Sequence, residues 1–409
     1  MSTESSDPSL KPASAASAAS SPDPGASQPG ELRGWAKLVE LAWVFGRLGT
    51  LAFGGPAAHI AMMDEEVVRR RQWMSPETLL DLMGLTSLIP GPNSTELAIH
   101  IGYSRAGWSG LWIAGISFML PAVSLVGALA VLYQRYQTVP QLAGWLSGIQ
   151  AVIIAIILQA VWTLGRKAVR DRTTALVAIA ALVGFALGIN ELLLLLICGI
   201  AVLLVRLGQT RFWPGLLFPL GTSPWATLPK APDSPQWTAV FWVFLKVGSV
   251  LYGSGYVLFA FLQRDLVERW HWLTAQQLLD AIAVGQMTPG PVLTTATFVG
   301  YLVAGFPGAI AATIGIFLPA FLLVGLITPW ISTLRTHPSL RAFLDGVNVA
   351  SLALMVGVTY TLARTAVVSP VTLALALVAM IAIFGFKVRP PWVLLLGALG
   401  GGAAQFFNG

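Results

Sequence analysis

Two short motifs in this chain could bind an anion without any catalytic residue. Pro90-Gly91-Pro92 is followed by Ser94 and Thr95, and Pro289-Gly290-Pro291 by Thr294 and Thr295. A proline that opens a helix is followed by amides the helix itself cannot use. Those amides and the helix dipole together attract negative charge. Gly54-Gly55-Pro56 and Gly253-Ser254-Gly255 interrupt long apolar segments and free backbone groups in the same way. Pro56, Pro92 and Pro291 are each predicted at the first helical position. Arg47 and Lys246 lie six residues before the aromatic–glycine pairs at these interruptions, deep in apolar sequence. Intramembrane charges are costly and are kept for function or for pairing. These two are expected either to contact an anion or to neutralise Asp81 and Asp280, which also align. Gln286, three residues before the second Pro-Gly-Pro, adds a neutral donor.

A second set of groups could carry protons. Glu96 and His100 stand four apart and share a helix face, and His59 follows the first interruption. Histidine titrates near neutrality, and carboxylate–histidine chains serve as proton relays. With Asp81 and Asp280 these are the proton-coupling candidates. The plainer alternatives are a buried pair that satisfies itself and, for the aspartates, a solvated or cap-supporting place near a helix start. Thr274 with Gln277 forms a predicted capping box, and Ser75-Pro76-Glu77 a predicted helix start. No Walker A loop, Ser/His/Asp set or HExxH is present, so an enzyme is not expected. Cys198 is the only cysteine and the four histidines are scattered, so neither a cofactor nor a metal centre is expected.

The elements that must position these groups occur twice. Trp43-Val44-Phe45, Trp73, Leu79-Leu80-Asp81, Gly102-Tyr103 and Leu120-Pro121-Ala122 return as Trp242-Val243-Phe244, Trp272, Leu278-Leu279-Asp280, Gly300-Tyr301 and Leu318-Pro319-Ala320. The offset is 199 up to Pro-Gly-Pro and 198 after it, so a one-residue gap aligns the copies. The chain is 56% hydrophobic and 10% charged, with mean hydropathy +0.74, which excludes an ordinary soluble domain. Its 41 glycines and 26 prolines are tolerable in membrane helices. The formal charge of +6 lies largely between apolar spans, where it sets topology and indicates no nucleic acid partner.

The expected fold is an all-α polytopic membrane protein in a lipid bilayer. Two homologous halves insert in inverted topology, each with about five spans and a re-entrant helix–Pro-Gly-Pro–helix hairpin. Residues 1–34 are Ser/Ala/Pro-rich and predicted to be a disordered tail, 35–207 the first repeat, 208–236 a linker rich in Pro and Trp, and 237–409 the second repeat. Five spans per half is an odd number, so the second copy enters upside down. Arg166, Lys167, Arg170 and Arg172 fill one loop of the first half, against Arg364 in its partner. Lys387 and Arg389 reverse the bias one loop later. Gly184 and Gly188 match the GxxxG helix-packing pattern.

On the FGGP sequence, the paired Pro-Gly-Pro hairpins and the repeated Trp, Gly-Tyr and Leu-Pro positions, the chain resembles the long, two-domain form of the chromate ion transporter family. The likeness runs from about 38 to 407. The family pattern falls on Gly54, Gly55, Pro56, His59, Trp73, Pro90, Gly91, Pro92, Gly102 and Tyr103. In the second half it falls on Gly253, Gly255, Trp272, Gln286, Pro289, Gly290, Pro291, Gly300 and Tyr301. Ser254 departs from the glycine expected there. The resemblance implies a plasma-membrane carrier that exports chromate and confers chromate resistance, with relatives linked to sulfate. Both are tetrahedral dianions that such donors recognise alike. The expected substrate-binding set is Arg47, Gly54, Gly55, Pro56, Pro90, Gly91, Pro92, Ser94, Thr95, Lys246, Gly253, Gly255, Gln286, Pro289, Gly290, Pro291, Thr294 and Thr295. Coupling to protons or to sulfate exchange is compatible. Uptake of sulfate or another oxyanion, an anion channel and a membrane-embedded enzyme are the alternatives.

Overall fold

A computed structural model describes residues 34–53, 55–86, 88–136, 139–208, 236–328 and 337–408. The expected tail up to residue 33, the linker core 209–235 and Gly54 lie outside the described residues. Fourteen α-helices are present among the described residues, without strands. The first half comprises α1 (Gly34–Leu51), α2 (Pro56–Met63), α3 (Pro76–Thr86), α4 (Asn93–Tyr136), α5 (Pro140–Ala168), α6 (Arg172–Ala186) and α7 (Glu191–Leu207). The second comprises α8 (Trp237–Val250), α9 (Leu258–Leu262), α10 (Ala275–Met287), α11 (Thr295–Ile327), α12 (Pro338–Ala366), α13 (Pro370–Met380) and α14 (Pro390–Asn408). Each helix of the first half has its counterpart seven places on.

The repeat extends to backbone detail. Wide π turns follow α2 and α9 at Asp64–Arg70 and Gln263–Arg269. Both long helices break after the hairpin, α4 at Ala106 and Gly107 (φ −146° and 59°) and α11 at Ala304 and Gly305 (φ −140° and 62°). A glycine is needed there because the second residue of each break has positive φ. The predicted Thr274–Gln277 capping box is present, and matched boxes at Asp171–Thr174 and Ser369–Thr372 start α6 and α13. The one-residue gap also has a structural counterpart. The second hairpin resumes through a 3₁₀ turn, Val292–Thr294, where the first goes directly into α4. Three residues rising ~2.0 Å instead of ~1.5 Å recover the rise of the missing one.

Four helices are long and apolar enough to cross a membrane: 93–136, 143–168, 292–327 and 338–366. The other expected spans are shorter, such as α6 with 15 residues and α8 with 14. Each is below the ~20 residues that a full hydrocarbon core requires. The hairpin pieces are short as expected, 11 residues for α3 and 13 for α10. Outward faces are apolar and exposed, for example Trp162, Leu176, Phe306 and Tyr360. That is the surface a bilayer covers.

The halves interlock. Within each, the first helix packs on the fourth, α1 on α4 and α8 on α11. The terminal helices cross over: α14 and α13 pack on α5, while α7 and α6 pack on α12. Small residues permit the approach. A side chain at Gly148 would strike the backbone of Gly397 and Gly401, and one at the matched Gly346 that of Cys198 and Gly199. Of the expected Gly184/Gly188 pair, Gly184 meets α7, where a side chain would strike Leu194, but Gly188 is a helix end. Gly188 has φ 81° and caps α6, with Ile189 N–H bonded to Gly184 O at 3.0 Å.

Candidate functional site

The four interruptions meet at the seam between halves through two matched backbone bonds. Gly91 N–H donates to Leu251 O at 2.8 Å, and Gly290 N–H donates to Ala52 O at 3.0 Å. Each Pro-Gly-Pro turn is thus pinned to the helix break of the opposite half. Gly91 and Gly290 have φ of 145° and 98°, a conformation that glycine adopts without strain. A side chain at Gly290 would collide with Ala122, and one at Gly91 with Glu96.

Pro56 opens α2 at the expected first position, after Gly55 with φ 78°. Pro92 and Pro291 stand one place earlier than expected, as caps. Pro92 O accepts from Thr95 N–H at 2.8 Å and Glu96 N–H at 3.1 Å, and Pro291 O from Thr294 N–H at 3.0 Å. A proline keeps its carbonyl for that first bond although it has no N–H to give. In the second break Gly255 replaces the proline, and a 3₁₀ turn, Gly255–Val257, takes the place of the α start.

Several expected donors are already engaged. The amides of Gly91 and Gly290 are bonded as above. Thr294 Oγ1 donates to Pro291 O at 2.9 Å and Thr295 Oγ1 to Val292 O at 2.8 Å. His59 Nε2 lies 2.9 Å from Ala52 O and Nδ1 lies 3.1 Å from Ser94 Oγ. A neutral ring with Nε2–H donating to the carbonyl and Nδ1 accepting from the hydroxyl satisfies both contacts. His59 therefore ties the first break to the second arm of its own hairpin. Of the expected site groups, those buried and left without a hydrogen-bond partner among the described residues are Thr95 Oγ1, both Glu96 carboxyl oxygens, His100 Nε2 and Gln286 Nε2. Gln286 Oε1 accepts from Tyr256 OH at 3.2 Å. Glu96 and His100 do not satisfy each other. His100 Nδ1 lies 3.5 Å from Thr328 Oγ1.

The two cations pair with carboxylates other than those expected. Lys246 Nζ lies 2.6 Å from Asp265, both side chains buried, and Arg47 lies 3.9 Å from Glu66. Glu66 and Asp265 sit 199 residues apart, as Arg47 and Lys246 do, and each projects from the π turn of its half. Arg47 is half exposed, rests over Trp43, and with Arg70, Glu65 and Glu66 lines a cleft of about 290 Å³. Asp280 is buried and accepts from Tyr133 OH and Gln150 Nε2, each at 2.7 Å, both from the first half. Asp81 is exposed. Sequence reasoning missed Glu66, Asp265, Tyr133 and Gln150. The shared offset of the two ion pairs was the available signal. No three metal-ligating side chains come together among the described residues.

A model of the family described as "Chromate transporter" matches residues 39–203 and again 238–402. This chain belongs to the chromate transporter family. It is 32% identical over 370 residues to a chromate transport protein of Cupriavidus metallidurans, covering 88% of this chain and 91% of that one. It is 33% identical to a probable chromate transport protein of Synechococcus elongatus, covering 89% and 95%, and 34% identical to a chromate transport protein of Pseudomonas aeruginosa, covering 78% and 80%. No solved structure matches. These relatives are named as transport proteins, and the transporter described here is an integral membrane protein in which the family model matches twice.

Proposed function

We propose that this transporter exports chromate across the plasma membrane by alternating access of two halves inserted in opposite orientations, with sulfate as a competing or exchanged dianion. The observation that carries the reading is the convergence of both helix breaks and both Pro-Gly-Pro turns at one seam, pinned by the bonds Gly91–Leu251 and Gly290–Ala52. Helix starts that face a seam between repeats offer amides to an oxyanion. Thr95 and Gln286 add side-chain donors that no other group among the described residues uses. Arg47 in its open cleft attracts the anion, and Lys246, closed onto Asp265, does not in this posture. A membrane potential negative inside favours outward movement by ~2.3 kcal/mol per charge per 100 mV, so by roughly twice that for a dianion. Glu96 is the group we assign to a coupled proton. Its carboxyl is fully buried and has no hydrogen-bond partner among the described residues, and such intramembrane acids mark proton pathways.

Transport in proteoliposomes tests the proposal. Saturable chromate flux that sulfate inhibits and a pH gradient accelerates is expected. Steady current without saturation would make the protein a channel, and chromate accumulation in expressing cells would reverse the direction. Glu96→Gln should remove most of the pH-gradient dependence, ten-fold or so, while leaving exchange of chromate against sulfate intact. Unchanged gradient dependence would take Glu96 out of the coupling.

A further inference from the structure

The matched hairpins occupy different environments. Helix α10 packs on α5, α12 and α14 as well as α11, whereas α3 makes its principal contacts with α4 and the 64–70 turn. Asp280 is 3% exposed and is held by Gln150 and Tyr133, but its counterpart Asp81 is exposed. The ion pairs differ in the same sense. Lys246–Asp265 is tight, with side chains 6% and 5% exposed, whereas Glu66 takes its short contact from Arg71 at 2.9 Å and leaves Arg47, 44% exposed beside its cleft, at 3.9 Å. The second half is closed and the first is open.

We propose that transport exchanges these postures and that Asn348 is the dock for Asp81 in the alternate state. Asn348 on α12 is the repeat counterpart of Gln150 on α5, 198 residues on, as Asp280 is of Asp81 at 199. Its side-chain amide can donate to a carboxylate as that of Gln150 does. In the present posture Asn348 lies against the second helix break: a Cβ at Gly253 would fall 2.8 Å from its Oδ1. When α3 swings onto α12, Asp81 takes the Asn348 amide, Arg47–Glu66 closes, Asp280 leaves Gln150, and Lys246–Asp265 opens. Tyr133 holds Asp280 beside Gln150 in the present posture. Removing that bond with Tyr133→Phe should raise the ratio of the α3-docked to the α10-docked form about ten-fold. This inference rests on the alternating-access reading.

Paired cysteines in the full chain test it, in a Cys198→Ala background with a protease site inserted in the 208–236 linker. Under oxidation in native membranes, Gln150→Cys/Asp280→Cys should hold the cleaved halves together. Asp81→Cys/Asn348→Cys should do so as well, with chromate flux lost on linking and restored by reductant. Linking of the first pair alone, or linking of the second without loss of flux, overturns the proposal. Linking yields are read independently of transport. If no variant and no parent moves an oxyanion, it is the transport reading that fails. A single Gln150→Cys chain, its thiol buried in the present posture, covers a misfolded double variant: adding Tyr133→Phe should speed its labelling by a maleimide up to ten-fold, and an unchanged rate overturns the proposal too.

Discussion

The crossed terminal helices and the hairpins they enclose obey the repeat to different degrees. Gly148 and Gly346 meet the opposite half in the same way, and α5 and α12 each carry two terminal helices of the partner half. The hairpins share the sequence pattern but not the environment: α10 is buried and α3 is not. Packing of backbone on backbone through glycine leaves one geometry, because interiors are close-packed and cannot give by a side chain's width. Polar latches such as Asp280–Gln150 and Lys246–Asp265 have alternatives, because their partners recur in the other half. The rigid part of the transporter is therefore written in small residues and the changeable part in charges and amides.

The largest effect should come from the closed ion pair. Asp265→Asn leaves Lys246 buried beside a neutral group and should cost about 3–5 kcal/mol, whereas Lys246→Met with Asp265→Leu should recover most of it. Arg47→Gln, whose side chain is 44% exposed, should cost about 1 kcal/mol or less. Thermal unfolding of the detergent-solubilised protein measures all three, and equal costs at Asp265 and Arg47 would dissolve the contrast between halves. Next come Gly148→Leu and Gly346→Leu, each pushing a side chain into opposing backbone at about 1–3 kcal/mol. Their losses should match within error, and a large inequality would show the scaffold to be asymmetric as well.

The smallest effect concerns a loop outside the membrane. Asp171 caps α6, and its carboxyl is held below the usual carboxylate range by the Thr174 N–H foremost, then by Arg206. A depressed value means that its contribution is present above the unfolded-state pKa and is lost as pH falls through the lower folded one. Asp171→Ala should cost about 1 kcal/mol near neutrality and less once the carboxyl is protonated, when its neutral C=O still accepts from Thr174 N–H. Ser369→Ala, at the matched uncharged cap, should cost a similar amount with no such pH dependence. A melting-temperature series from neutral to acid pH separates the two.

Much of the architecture was legible in the chain. Breaks that need glycine or proline leave local signatures, so the interruptions, the hairpins, the Thr274 cap and the doubling were all readable from residue type and spacing. Pro92 and Pro291 were misplaced by one residue, because sequence does not reveal whether a proline's carbonyl or its ring opens the helix. The partners of Arg47 and Lys246 were not legible. Asp81 and Asp280 align as well as Glu66 and Asp265 do, and only the rotation of α1 and α8 about their axes decides which carboxylate is reached. The crossing of α5 with α14 and α7 with α12 was missed although Gly144/Gly148 and Gly397/Gly401 both carry the small-xxx-small spacing. A spacing names a face but not the face it meets.

The crossing-over of the terminal helices also bears on biosynthesis. When the ribosome finishes α7, α5 still lacks the helices it packs against, and α7 has α6 but not its main partner α12; the missing helices lie in the unmade half. At roughly 5–20 residues per second the remaining 200 or so residues take on the order of 10–40 s. Throughout that interval the nascent chain must hold its glycine-lined grooves open in lipid, shielded from other membrane segments.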